Sequence, residues 1–430
     1  MAENPAGNGR KAYVEFRARL DQAFRPFAPI DLPDFFCGHS EDVRLLRSEL
    51  QTTGRQVAIY GERGVGKTSL AVLAYFFAGF DDTNTYLARC TADSTYEQIF
   101  GHFLLAAGAG HVPATTERGT SKRRSVGVHG ASLGRERTEK STERAISPAS
   151  LISPQMLLRV FAETSGLLII DEFDRVIDKP TRTRLAETLK IFSDAASATK
   201  IIVVGVAETL NELIGEHKSL TRCLATVRLD RMTDSELNEI IEEGSDSTGI
   251  VFSEPIRRRM IALSDGFPFY THLLCRYAGE EAGQVLEGNP NARIVVSETE
   301  YAKALRRAIK TGEAELSETY HSAVITIKRK TEKFKNIIWA IAYSEDREVQ
   351  EQEIADNIGL LTEVRPTRQS LSNPLGALIR PDKQEIVGRV RQGYYRFSNP
   401  LMRAYVRLIM EQHNIELDGQ LEFPWMRGIS

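Results

Sequence analysis

Long apolar runs, paired cysteines and a strong excess of either charge are all missing from this 430-residue chain. With no 18-residue apolar stretch and no signal-peptide pattern, the expected location is cytoplasmic, with no membrane partner. The four cysteines, Cys37, Cys90, Cys223 and Cys275, are widely separated and form no C-x-x-C pair. That spacing excludes a zinc ribbon or a disulfide framework and fits a reducing compartment. Lys and Arg number 55 against 58 Asp and Glu, a net charge of −3. Such a chain does not coat nucleic acid through bulk charge, although local basic patches remain open to it. Hydrophobic content of 42% and charged content of 26% are ordinary for a globular protein, and the length suggests roughly two or three domains.

Against these absences one stretch carries chemistry. Val57-Ala58-Ile59-Tyr60 runs into Gly61-Glu62-Arg63-Gly64-Val65-Gly66-Lys67-Thr68-Ser69, and an apolar, helix-prone run follows. This is G-x-x-x-x-G-K-[ST] with a strand before it and a helix after it. Gly61, Gly64 and Gly66 let backbone N–H groups curl around phosphate oxygens, and the helix N-terminus adds partial positive charge. Lys67 is placed to reach the β- and γ-phosphates, and Thr68 to hold Mg²⁺. A second signal is the apolar run Gly166-Leu167-Leu168-Ile169-Ile170, which ends in Asp171-Glu172. It reads as a parallel strand buried on both faces. Asp171 at its end is a candidate Mg²⁺ ligand, and Glu172 a candidate base for an attacking water. Lys200–Gly205 reads as another such strand, with a helix from 182 to 195 between them. Alternating strands and helices imply an α/β fold with a doubly wound parallel sheet, whose ligand sits at the strands' carboxyl ends.

Around this core the chain divides as follows. Residues 1–30 read as an arm, with Met1–Arg10 disordered and a short amphipathic helix over Tyr13–Phe24. The core spans 31–229. Within it, 108–148 is a basic insertion, with Lys122, Arg123, Arg124, Arg135, Arg137, Lys140 and Arg144. It reads either as a solvated surface loop or as an arm touching nucleic acid or a neighbouring subunit. From 230 to 312 the pattern is all-helical, opened by the cap signature Thr233-Asp234-Ser235-Glu236. A polar connector helix covers 313–330. Residues 331–412 read as helices over Phe334–Tyr343, Val349–Ile358 and Thr367–Ile379, then a hairpin turning at Gln392-Gly393 and a closing helix. That is the layout of a winged helix. A tail fills 413–430.

With these residues in place, the chain resembles P-loop ATPases of the AAA+ class, in the branch shared by origin-recognition-type initiators and STAND ATPases. Gly61 to Thr68 matches its Walker A motif, and Leu168 to Asp174 its Walker B motif. Phe36-Cys37-Gly38-His39 stands where the class has an adenine-side phenylalanine–valine–glycine–arginine box. Val203 to Glu208 falls at the sensor-1 strand, where Gly205 replaces the usual polar residue and leaves that role unassigned. Arg222 falls at the arginine-finger position, and Gly266-Phe267-Pro268 at the G-x-P motif of the helical lid. Phe269 stands where initiators place a sensor-2 arginine, which implies slow or partner-dependent hydrolysis.

The resemblance implies an ATP- and Mg²⁺-dependent switch that forms homo-oligomers and controls a separate effector protein, as in bacterial defence or signalling. Glu172 and Arg222 would be catalytic, and Gly61 to Ser69 with Pro268 would hold the nucleotide. Thr68 and Asp171 would hold the metal. The alternative is an ATP-dependent DNA-binding regulator of the initiator or transposition type. Its DNA contacts would come from Arg365, Arg368, Arg389 and Arg391 of the winged helix and from the 122–144 insertion.

Overall fold

The computed structural model describes residues 5–108, 152–161, 165–207, 212–213, 220, 222–312, 314–324 and 331–415. The basic insertion beyond residue 108, the connector stretch 325–330, Glu208 and the tail beyond 415 lie outside the described residues. Strands β1 (Gln56–Gly61), β2 (Thr85–Arg89), β3 (Leu167–Asp171), β4 (Lys200–Val206) and β5 (Leu224–Leu229) build one sheet, in the order β2-β3-β4-β1-β5. Every pairing in it is parallel. The unbroken apolar runs follow from this burial. Leu167, Ile169, Ile202 and Val204 enter one core, while Leu168, Ile170, Ile201 and Val203 enter the other. Successive strand residues point to opposite faces, and both faces are covered.

The expected N-terminal arm is instead an ordered part of the helical unit. Its helix runs from Pro5 to Ala23, so it begins inside the stretch expected to be disordered. Phe16, Leu20 and Phe24 are fully buried. They press on Gly283, Gly279 and Gly244, where an added Cβ would lie 2.2, 2.6 and 2.1 Å from the respective side chains. Arg17 reaches Glu280 at 3.3 Å, and Arg276 reaches Asp21 at 2.6 Å. The helical unit itself comprises Asp234–Thr248, Glu254–Ser264, Pro268–Gly283 and Glu298–Thr311. A reciprocal capping box of Thr233 and Glu236 starts the first of these helices. The unit is not all-helical as expected: β6 (Ile250–Phe252) and β7 (Ile294–Val296) pair in parallel. Three residues each are too few to show a period of two in the sequence.

The C-terminal unit has helices Thr331–Tyr343, Glu351–Thr362 and Arg368–Leu378, a hairpin of β9 (Val387–Arg391) and β10 (Tyr394–Phe397), and a closing helix, Met402–Gln412. The second helix starts at Glu351, later than expected, because Val349–Gln350 forms β8 and pairs with β10. Pro374 sits inside the third helix without ending it. Helix Ala314–Val324 is more than a polar connector. Leu316, Tyr320 and Ala323 are buried, and the Tyr320 hydroxyl accepts a hydrogen bond from Trp339 Nε1 at 2.9 Å. Among the described residues no helix is long and apolar enough to cross a membrane.

Candidate nucleotide site

The carboxyl ends of β1, β3 and β4 open onto a cavity of about 770 Å³, within the size range of small-molecule sites. β1 ends at Gly61, where an added Cβ would lie 2.2 Å from the Leu229 carbonyl oxygen. Only glycine fits that approach. Gly66, which lines the cavity, has φ +101°, a left-handed conformation that glycine adopts without steric cost. The helix Lys67–Val72 starts immediately after it. Lys67 folds back over the loop, donating to the Gly61 carbonyl at 3.1 Å and the Glu62 carbonyl at 2.6 Å. Burial pulls this ammonium down to about 8.

Thr68 Oγ1 donates to the Asp171 carboxylate at 3.1 and 3.3 Å. Asp171 is buried, and that burial raises its carboxyl above the ordinary range. A hydroxyl and a carboxylate held together beside a phosphate loop are the oxygen donors a hard divalent cation takes, with waters and phosphates completing its shell. The residues present therefore fit Mg²⁺. Glu172 follows in the left-handed region at φ 56°, and its side chain pairs with Arg175 Nη1 at 2.7 Å. Both side chains are about half exposed, so the pair is weak and opens readily.

The remaining expected site residues fall at different points of this frame. Val65 is buried, with its carbonyl 3.0 Å from His39 Nε2. His39 Nδ1 faces Asp42 at 3.1 Å, and the His39 amide donates to Glu236 at 2.7 Å. The histidine that replaces the box arginine thus ties the phosphate loop to the helical unit. Ser69 Oγ accepts from the Ile30 amide at 3.0 Å, fixing the segment Arg25–Phe36 along the cavity wall. Pro268 opens its helix and lines the cavity, and Arg63 at the rim lies 3.8 Å from Glu315. Arg222 stands apart. It is exposed just before β5, at the end where Gln56 pairs with Leu224. That is the sheet edge opposite Gly61, roughly 20 Å away at ~3.3 Å per strand residue. It is not brought to this chain's own phosphate loop.

Sequence reasoning missed three groups. Asp174 lies against the end of β4, where its carboxylate accepts from the Val206 amide at 2.9 Å. A Cβ on Gly205 would lie 2.7 Å from that oxygen and 2.3 Å from Leu213, so the glycine there is a packing requirement. The acidic run Asp171-Glu172-Phe173-Asp174 was its only signal. Arg231 bonds Glu62 of the loop at 2.5 Å and Asp265 at 2.6 Å, with its guanidinium 4.2 Å from the Phe267 ring centroid. Asp265 also faces Arg403 at 3.4 Å and Arg407 at 3.6 Å. All four side chains of this node are less than a tenth exposed. Leu401 completes the contact between the C-terminal unit and the loop, with Cδ2 3.1 Å from where a Gly64 Cβ would stand. Its carbonyl accepts from the Tyr270 hydroxyl at 3.1 Å. Of the four arginines proposed for DNA, Arg365 is held by Asp356 at 2.5 Å and Arg368 lies 3.7 Å from Glu351. Arg389 and Arg391 stand exposed on β9, the latter stacked 3.9 Å from the Tyr394 ring centroid.

A family model described as Novel STAND NTPase 1 matches residues 22–287. No curated protein matches the chain. Among solved structures, a Walker-type ATPase of Pyrococcus abyssi is similar at a TM-score of 0.51 and 15% identity, over 89% of this chain and 99% of that one. The Aeropyrum pernix ORC2 protein gives 0.48 at 16% identity, over 92% and 98%. The Thermotoga maritima RuvB branch migration motor gives 0.41 at 13%, over 86% and 95%. At these identities the likeness to the first is one of fold.

Proposed function

The chain belongs to the novel STAND NTPase 1 family, and from that premise we propose that it is an ATP-driven switch. The observation that carries the reading is the Thr68–Asp171 contact beside a phosphate loop whose lysine is still bonded to its own carbonyls. The loop is formed and its cation is held in reserve. On ATP binding, Lys67 exchanges its two carbonyl partners for phosphate oxygens, and the amides from Gly64 to Thr68 wrap the β-phosphate. Mg²⁺ held by Thr68 and Asp171 supplies neutralising charge to the phosphates when bound. Glu172, once released from Arg175, orients a water and takes its proton. Asp174 fixes the end of β4 opposite that water. Arg222, remote from its own loop, acts on the site of a neighbouring copy in an oligomer.

Leu401 and the Arg231–Asp265 node place the C-terminal unit against the loop, so nucleotide exchange and the position of that unit are linked. The output of the switch is a separate effector protein. The test is ATP binding and turnover with Mg²⁺, together with the size of the assembly. Glu172→Gln should retain binding, lose roughly 10²- to 10⁴-fold in turnover, and accumulate the ATP-bound oligomer. Equal turnover by the two proteins would remove Glu172 from the reaction. A second reading, DNA contact by the wing, is favoured by the exposed Arg389 and Arg391 alone.

A further inference from the structure

The box Phe36-Cys37-Gly38-His39 ends in a histidine whose polar atoms are all engaged, one of them with the phosphate loop. The His39 carbonyl accepts from the Val43 amide at 2.9 Å, and its own amide donates to Glu236 Oε1 at 2.7 Å. Nδ1 lies 3.1 Å from the Asp42 carboxylate, which holds the ring in place. Nε2 lies 3.0 Å from the Val65 carbonyl oxygen, which can only accept, so Nε2 carries the hydrogen and donates. His39 stands in the left-handed region at φ 52°, a conformation that costs a side-chain-bearing residue energy and persists where its surroundings hold it. Both His39 and Val65 are buried, and neither is among the residues that line the cavity. The histidine therefore acts on the loop from behind.

The peptide that joins Val65 to Gly66 is planar and trans, so its carbonyl and its N–H point in opposite directions. With the carbonyl turned toward His39, the Gly66 N–H is turned away from it. That N–H finds no acceptor among the described residues, and Gly66 itself lines the cavity. Nothing local fixes this orientation. Glycine adopts either sign of φ at little cost, and the place a Gly66 Cβ would take has no atom within 4 Å. The peptide is free to turn over unless its carbonyl is held, and His39 holds it.

We propose that His39 is a positioning residue for phosphate: by fixing the Val65 carbonyl it presents the Gly66 amide to the phosphates of the bound nucleotide. The resemblance sets this box beside the adenine, whereas here its last residue serves the phosphate loop. The same bonds run on into the helical unit. Glu236 takes the His39 amide on one carboxylate oxygen and caps its own helix through Thr233 with the other. A shift of that helix therefore reaches the Gly66 amide through two hydrogen bonds. The inference rests on the ATP reading above and deepens it.

The experiment measures binding of Mg·ATP and of inorganic tripolyphosphate to the full chain, as wild type, His39→Asn and His39→Gln. Asparagine tolerates the left-handed backbone but its amide ends near the Nδ1 position, short of Val65. Glutamine reaches the Nε2 position with an N–H donor. His39→Asn should weaken both ligands by the same factor, roughly tenfold, and His39→Gln should restore both to within about threefold. Should either variant fail to fold, His39→Leu and His39→Arg replace them as the forms without and with a donor. Weakening of ATP alone would overturn the proposal in favour of a base contact. No change in either ligand would also overturn it, as would equal losses with and without the donor, which would mark His39 as a packing residue only. Binding of neither ligand by wild type would instead bring down the nucleotide reading on which the inference rests.

Discussion

Replacing Asp265 by asparagine tests the buried node at the junction of the three units. Asp265 is the shared partner of Arg231, Arg403 and Arg407, at 2.6, 3.4 and 3.6 Å. The backbone supplies further acceptors: Arg407 Nε donates to the Ala342 carbonyl at 2.8 Å, and Arg403 Nη2 to the Glu345 carbonyl at 2.9 Å. No carbonyl supplies the missing negative charge, and burial with neighbouring Arg407 already pulls Arg403 down to about 10. Asp265 sits in the left-handed region at φ 50°, which asparagine tolerates equally well. The substitution therefore removes charge without adding backbone strain. Removing one partner of a buried ion pair typically costs about 3–5 kcal/mol, and here three cations would share the loss. Urea unfolding followed by the fluorescence of the buried Trp339 in the C-terminal unit should show a destabilisation of that size. Adding Arg403→Met and Arg407→Leu should recover part of it, because the unpaired charges leave with their partner. A loss below about 1 kcal/mol for Asp265→Asn would mean that water reaches the node, and the electrostatic argument would be wrong.

The His272 imidazole should make the protein acid-sensitive. Burial holds its folded value at about 4, below the ordinary 6.5, so the unfolded chain binds the extra proton and stability falls as pH drops from about 6.5 toward 4. The full shift corresponds to about 3 kcal/mol, and His272→Phe should remove that part of the slope in pH-dependent urea unfolding. An unchanged slope would refute the burial argument. Arg222→Ala should leave ATP affinity unchanged and reduce turnover only at protein concentrations where the chain assembles; a loss for the monomer would contradict the placement of Arg222. If the wing contacts DNA, Arg389→Ala with Arg391→Ala should flatten the dependence of log affinity on log salt by about 0.9 per lost phosphate contact. An unaltered slope would move any DNA contact elsewhere.

The parts of this molecule that were legible in the sequence are those whose causes are local. The phosphate loop, the strand ending at Asp171 and the helices Glu254–Ser264 and Glu298–Thr311 carry their own periodicity, caps and glycines. What escaped were features made by residues far apart. Asp265 is joined to Arg403 and Arg407 across more than 130 positions, and no pattern marks such a partner in advance. The same holds for Gly244, Gly279 and Gly283, which look like weak points in helices until Phe24, Leu20 and Phe16 occupy the space they leave. Val349–Gln350 needed β10 to become a strand. Asp174 was visible as a charge but not as the group that ties down the end of β4, because that contact depends on β4 lying alongside.

The seating of the N-terminal helix on the helical unit, which follows the ATPase core in the chain, also has a consequence during synthesis. Phe16, Leu20 and Phe24 leave the ribosome early, but the grooves that receive them are completed only with the helix ending at Gly283. At roughly 5–20 residues per second, that apolar face waits on the order of 10–50 s for its partner. During that interval the nascent chain offers chaperones an amphipathic helix, and the phosphate loop can close its sheet before the helical unit above it exists. A chain stalled between these two points would be a folded half-site with an exposed hydrophobic flag, a form that quality control can distinguish from the finished protein.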